Sequence, residues 1–255
     1  MMKHLRQISI GVRELRLLSG SVLFSYILTH LLNHTLGLVS LNAAERGLAI
    51  AKSVWYSTPG TAILYGAAAL HVSLALRTIY LRQHWRLPLI EYVRLAAGFS
   101  LPLLLIGHVV TTRLAYALHS AEPKYTSVVS SLVSSGNEGW QLALLAPGWL
   151  HGCLGLWISI ARLDPGREIR WVFFSAVVLI PCLAAAGFLS MSAELAMPDA
   201  QAPSLAAPAL ESAARQNLAF WRQAVLNAYL TAVAAALLAG PVRRSVVRLI
   251  GNARR

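Results

Sequence analysis

Five histidines lie in stretches too apolar for a charged or half-solvated side chain. His30 and His34 fall in ILTHLLNH (27–34), His71 in ALHVSLALRTIY (69–80), His108 in HVVTTR (108–113) and His151 in LHGCLGLW (150–157). Imidazole is costly in hydrocarbon unless something binds it, and its neutral ring nitrogens are common metal ligands. Depth along the segments sorts four of these residues. Arg16 to His30 and Arg94 to His108 are both fourteen residues, about 21 Å of helix. His71 to Arg82 and His151 to Arg162 are both eleven, about 16 Å. Two pairs at matched depth result, His30 with His108 and His71 with His151, each joining alternate helices of an up-and-down bundle. Facing neutral imidazoles at one depth suit the axial positions of a b-type haem. Copper or zinc fits less well, because no carboxylate or thiolate accompanies the rings.

The elements that must position these rings are membrane spans. The chain has 255 residues, 56% hydrophobic and only 13% charged, which does not fit a soluble globular domain. Apolar runs long enough for a hydrocarbon core of about 30 Å recur at 17–39, 60–81, 96–118, 140–161, 171–191 and 218–240. The expected fold is therefore all-α, a six-helix transmembrane bundle whose first four helices enclose two b haems. Its parts are an N-terminal segment (1–16), the membrane domain (17–240) and a basic tail (241–255). Helices five and six carry no interior histidine.

The net charge of +12 is a topology signal rather than a sign of nucleic-acid binding. Lys3, Arg6, Arg13 and Arg16 precede the first span, and Arg82, Arg86 and Arg94 lie near the connection between the second and third. Arg162, Arg167 and Arg170 follow the fourth span, and Arg243, Arg244, Arg248, Arg254 and Arg255 follow the sixth. The opposite connections hold only Arg46, Lys52, Lys124 and Arg215. Positive charge is retained on the cytoplasmic side, so both termini are expected there, with anionic lipid headgroups as a secondary contact. Cys153 and Cys182 stand singly in spans and are read as packing residues. No cleavable signal sequence is apparent. The sizeable outer loops are read as 120–139, rich in Ser, and 192–217, Ala/Pro-rich with a short surface helix. Trp55, Trp85, Trp140 and Trp171 fall near span boundaries, as interfacial anchors do.

Small residues beside the histidines leave room for a porphyrin: Gly107, Gly148, Gly152, Gly155 and GAAAL (66–70). Close helix packing explains such residues equally, and Gly148-xxx-Gly152 fits that rule unaided. Arg113, five residues beyond His108, either forks onto a haem propionate or snorkels to the interface. His119 and His84 are read as solvated, and Tyr26, one turn before His30, as a packing residue near the same pocket.

With histidine intervals of 41, 37 and 43 residues, these four motifs resemble the haem-bearing helices of the dihaem cytochrome b anchors of succinate dehydrogenases and fumarate reductases. The resemblance covers roughly 15–190, five of the six helices. It implies His30 with His108 on an outer (distal) haem, His71 with His151 on an inner (proximal) one, and contact with membrane quinone. It also makes His34 a partner for a propionate or quinone rather than an iron ligand. A sixth span leading to the basic GNARR is similar to the six-helix dihaem membrane regions that precede the cyclase domain in certain bacterial class III adenylate cyclases. That likeness implies a redox- or quinone-responsive sensor in a bacterial inner (cell) membrane, with an output module following the tail. The alternatives are an electron-transferring anchor for separate dehydrogenase subunits, and a haem-free anchor or transporter. A homodimer is compatible with each. No phosphate-cradling Gly-rich loop or nucleophile–base motif is present, so this segment is not expected to catalyse cyclisation itself.

Overall fold

A bilayer core offers no water to backbone amides, so an uninterrupted helix is the economical way for each apolar run to cross. The computed structural model describes residues 11–196 and 211–253, and over them the fold is all-α. Six segments are long and apolar enough to cross a membrane: Val12–Leu38, Thr58–Leu81, Leu89–His119, Glu138–Leu163, Arg167–Ala196 and Ser212–Val246. They coincide with the six expected runs, mostly with added turns at their polar ends. The chain forms α1 (Val12–Thr35), α2 (Leu41–Trp55), α3 (Thr58–Leu81), α4 (Leu89–Val109) and α5 (Ala115–His119). It continues as α6 (Tyr125–Ser135), α7 (Glu138–Ala143), α8 (Leu145–Ile160), α9 (Arg167–Ala196) and α10 (Ser212–Ala253). A π-helical turn, Val110–Leu114, joins α4 to α5.

α1, α3, α4 and α8 form the centre. α1 packs along α3, α8 and α9; α4 packs along α8. α10 lies on the other side, and α3 and α4 each pack on α10 more closely than on one another. The α1–α8–α9 contact is tight for identifiable reasons. Phe24 stacks on Trp149 at 5.2 Å between ring centroids, and Trp149 Nε1 donates to the Val177 carbonyl at 2.8 Å. A Cβ on Gly152 would come within 2.6 Å of the Phe24 ring, and one on Gly187 would strike the His34 carbonyl of α1. The expected Gly148-xxx-Gly152 stripe is thus a helix-packing seam, with Leu101 against Gly148.

Two helices occupy connections that sequence reading left as loops. Ser40 Oγ accepts the Ala43 N–H at 3.0 Å to start α2, and Ser57 Oγ accepts the Gly60 N–H at 3.1 Å to start α3. α2 turns Ala44, Leu48, Ala51 and Trp55 inward at helical spacing while Ile50 and Val54 stay exposed. In the Ser-rich 120–139 segment, Tyr125, Val128, Val129 and Leu132 supply a similar inward stripe, and Gly136 in left-handed conformation (φ 64°) ends α6. Ala44, Tyr125, Val129, Phe188 and Met191 form the core that roofs this end of the bundle. Glu45 Oε1 accepts from Thr126 N–H and Oγ1 at 2.8 and 3.0 Å, tying α2 to α6. α9 runs to Ala196, and the surface helix expected within 192–217 lies outside the described residues. α10 continues unbroken from the sixth span through 241–253.

Gly187 supplies a direct test of the α1–α9 seam. Gly187→Val should destabilise the protein by about 1–3 kcal/mol through overpacking, read as a lower thermal unfolding midpoint in detergent. Gly139→Ala, where a Cβ meets nothing within 4 Å, should leave the midpoint unchanged.

Candidate functional site

The pair nearer the Arg-rich end is built from α3 and α8. The rings of His71 and His151 stand 6.1 Å apart between centroids, with planes at 90°. His71 Nδ1 lies 3.1 Å from Ser19 Oγ on α1. The Ser19 hydroxyl donates to the Leu15 carbonyl at 2.8 Å, so its oxygen accepts and His71 Nδ1 carries the hydrogen. His151 Nδ1 is 2.9 Å from the Arg94 carbonyl, which can only accept, so His151 takes the same tautomer. Both rings are therefore held at Nδ1 and keep Nε2 as a lone-pair donor, the arrangement in which a second partner orients a ligating imidazole. Glycine lets the neighbouring helices come close. A Cβ on Gly98 would sit 2.6 Å from His151 Cε1, and one on Gly20 would sit 3.2 Å from His71 Cε1. Sequence reading missed Ser19, Gly20 and Gly98, because small residues are ordinary in membrane helices and carry no ligand signal.

The second pair, His30 on α1 and His108 on α4, has ring centroids 6.0 Å apart and planes at 61°. Tyr26 lies parallel to His30, at 4° and 6.0 Å. His30 Nε2 also meets His34 Nε2 at 3.3 Å. The His34 ring is wedged between Tyr125 and Phe188, at 5.2 and 6.2 Å, and its buried Nδ1 has no hydrogen-bond partner. A cavity of about 80 Å³ opens here, lined among others by His30, His34, Asn33, His108, Lys52 and Tyr125. Asn33 Nδ2 donates to the Tyr125 hydroxyl at 2.9 Å. Burial raises the pKa of that phenol above its ordinary value, so it stays protonated. Asn33, Lys52 and Tyr125 were not singled out from sequence; α2 and α6, which bring Lys52 and Tyr125 in, were read as loops.

The π turn follows His108 directly. Thr112 Oγ1 donates to the His108 carbonyl at 2.6 Å and Thr111 Oγ1 to the Gly107 carbonyl at 3.0 Å. Such side-chain bonds compete with the helical ladder and widen it, and π turns recur at functional sites. The turn brings Arg113 against the start of α3. Its Nη2 donates to Thr61 Oγ1 at 2.5 Å, its guanidinium sits 3.9 Å from the Tyr56 ring centroid, and Nη1 is buried without a partner. Trp55 likewise turns inward and donates to Thr29 Oγ1 at 3.2 Å, whereas Trp85, Trp140 and Trp171 are exposed as expected of anchors. His119 pairs with Asn217 at 3.2 Å and His84 is exposed. Cys153 is buried in the α1–α8–α9 core and Cys182 is exposed.

These distances bear on what the pairs can hold. Two metal–imidazole bonds of about 2 Å put trans nitrogens about 4 Å apart and ring centres about 6 Å apart. Both pairs meet the ring-centre spacing. Among the described residues no group of three or more His, Cys, Asp or Glu converges on a metal position. Two neutral imidazoles at this separation are a donor set that fits haem, whose own nitrogens would supply the remaining ligands. Beside Gly66, Gly107 and Gly155 a Cβ would meet nothing within 4 Å, while Gly148 and Gly152 are filled. Fold and site together define a multi-pass α-helical membrane protein with histidine pairs facing across its central helices. Searched against family models, curated proteins and solved structures, the chain matches none.

The tautomer assignment can be checked without any cofactor. In ¹⁵N-histidine-labelled apo protein, His71 and His151 should report a single Nδ1–H form. Ser19→Ala should turn the His71 signal into a tautomer mixture and leave His151 unchanged.

Proposed function

We propose that this chain is a dihaem b-type cytochrome domain of the cell membrane, acting as a redox- and quinone-responsive sensor and anchor. The supporting observation is the pair of 6 Å histidine couples, 6.0 and 6.1 Å, each bridging opposite helices of one bundle. His71 and His151 hold one haem, His30 and His108 the other. Bound haem supplies one-electron redox chemistry, which no side chain here provides. Ser19 and the Arg94 carbonyl orient the first pair, and Tyr26 stacks beside His30 in the second. The Nε atoms of Arg16 and Arg94, buried and unpartnered, are donors suited to carboxylate groups at the Arg-rich end; Arg113 is the equivalent at the other. A quinone head group suits the cavity under α2 and α6, where His34 and Tyr125 offer hydrogen-bonding atoms.

One packing feature favours a sensor over a plain electron conduit. α10 rests on α3 and α4, which carry His71 and His108, one ligand of each pair. Displacement of α3 or α4 by a group held at either pair would bear on α10. By the adenylate cyclase likeness, the regulated output is a cyclase module, with both termini cytoplasmic. An electron-transferring anchor of a succinate or fumarate:quinone oxidoreductase is the second reading, favoured by the four histidine-bearing helices. It would show itself by co-purifying dehydrogenase subunits.

The test is spectroscopic. Purified protein should give a reduced-minus-oxidised b-type spectrum with about two haems per chain by pyridine haemochrome. His71→Leu or His151→Leu should remove one haem, and His30→Leu or His108→Leu the other; His34→Leu should retain both. Protein from haem-replete cells lacking any Soret band would falsify the cytochrome reading and leave the haem-free anchor.

A further inference from the structure

The Arg-rich end of α10 meets α3 in a junction that neither histidine pair uses. α3 stops at Leu81, and Arg82 leaves it with extended backbone (ψ 132°). Arg244 Nη1 donates to the Arg82 carbonyl at 2.6 Å. The Arg243 guanidinium stands 5.3 Å from the Tyr80 ring centroid, and that of Arg82 stands 5.5 Å from the Trp85 ring. A Cβ on Gly240 would lie 3.0 Å from the Tyr80 carbonyl, so the two helices close on each other here. Three arginines thus gather at one junction. None of them forms an ion pair among the described residues. The Nε atoms of Arg82 and Arg243 are buried and without a hydrogen-bond partner.

Buried guanidinium donors left unmatched are costly, and the ligand that answers them is an oxyanion able to take a fork of N–H groups. Depth and surroundings narrow its source. Arg82 directly follows one apolar span, and Arg243 and Arg244 of α10 meet α3 at that level. This is the level of lipid phosphates, flanked by Tyr80 and the exposed Trp85. On the same part of α10, Leu238 and Val242 are 71% and 63% exposed, a surface for acyl chains but not for a free ion. We propose that the α3–α10 junction binds the phosphate of an anionic phospholipid through Arg82, Arg243 and Arg244. The lipid clasps the end of α10 to the end of α3, so membrane composition biases the position of the helix that leaves the bundle. The inference rests on the membrane-spanning fold and stands or falls separately from the haem assignment.

The experiment counts retained lipid by native mass spectrometry after exchange of the purified full chain into phosphatidylglycerol or phosphatidylcholine mixed with detergent. Phosphatidylglycerol should be retained preferentially. R82Q/R243Q/R244Q should weaken that retention on the order of a hundredfold, about fivefold for each arginine lost near an anionic surface. R162Q/R167Q, arginines of a different connection at the same end, should behave as wild type. Should the triple variant not fold, R243K/R244K keeps the charge but loses the fork, and retention should still fall several-fold. Equal retention in these variants and in wild type would overturn the proposal. Displacement of the lipid by millimolar inorganic phosphate would also overturn it, in favour of a free-anion site. Haem content of the variants, measured in parallel, should not change.

Discussion

A histidine placed in hydrocarbon must find a partner for its N–H, and the rest of this structure is arranged around that requirement. His71 and His151 meet it with protein atoms alone, a serine hydroxyl and a backbone carbonyl. That solution leaves each ring one lone pair directed elsewhere, at fixed orientation. Gly20 and Gly98 are part of the same solution, since any side chain at Gly98 would collide with His151. The pair at the other end is less settled by the protein itself. His30 is shared between His34 and His108, and His34 keeps an unmatched Nδ1. One pair is thus held by two fixed acceptors, and the other borders a cavity covered by α2 and α6.

The bundle distributes stiffness in a corresponding way. α1, α8 and α9 are locked by stacked aromatics and by backbone contacts at Gly152 and Gly187, where no side chain can be added without displacement. α3 packs chiefly on α1 and α4 chiefly on α8, and α10 is the element that lies against both α3 and α4. Tyr229 reaches from α10 to the Phe99 carbonyl at 2.8 Å, and Leu218 joins Ile106 and Val110 in a small core. α10 is therefore the element placed to register displacement of α3 or α4.

Several residues illustrate where sequence reasoning stops. Gly148 and Gly152 had two readings, room for a ring or close packing, and Leu101 and Phe24 decide for packing. Gly107 and Gly155, of identical type and similar position, are the ones with space beside them. Arg113 had two readings as well, and its guanidinium meets Thr61 and the Tyr56 ring, neighbours that the sequence did not suggest. Trp55 looked like an interfacial anchor and is a wall of the cavity. α2 and α6 went unread because their apolar stripes are short and interrupted by Ser, Lys and Glu. Such helices gain their stability from the bundle end they cover rather than from their own propensity.

What the sequence alone determined is the set of quantities that depend on one dimension. Span number follows from the run lengths a bilayer demands, and histidine depth follows from counting residues at a fixed rise per residue. Both therefore survive translation into structure, including the pairing of His30 with His108 and His71 with His151. What only the tertiary structure decided is everything that depends on rotation and on neighbours from distant parts of the chain. The Ser19 bond to His71, the Gly98 seat for His151 and the wedging of His34 by Tyr125 and Phe188 are contacts between helices. A helix's azimuth is set by the shapes it packs against, and in a chain apolar on nearly every face no periodicity announces it.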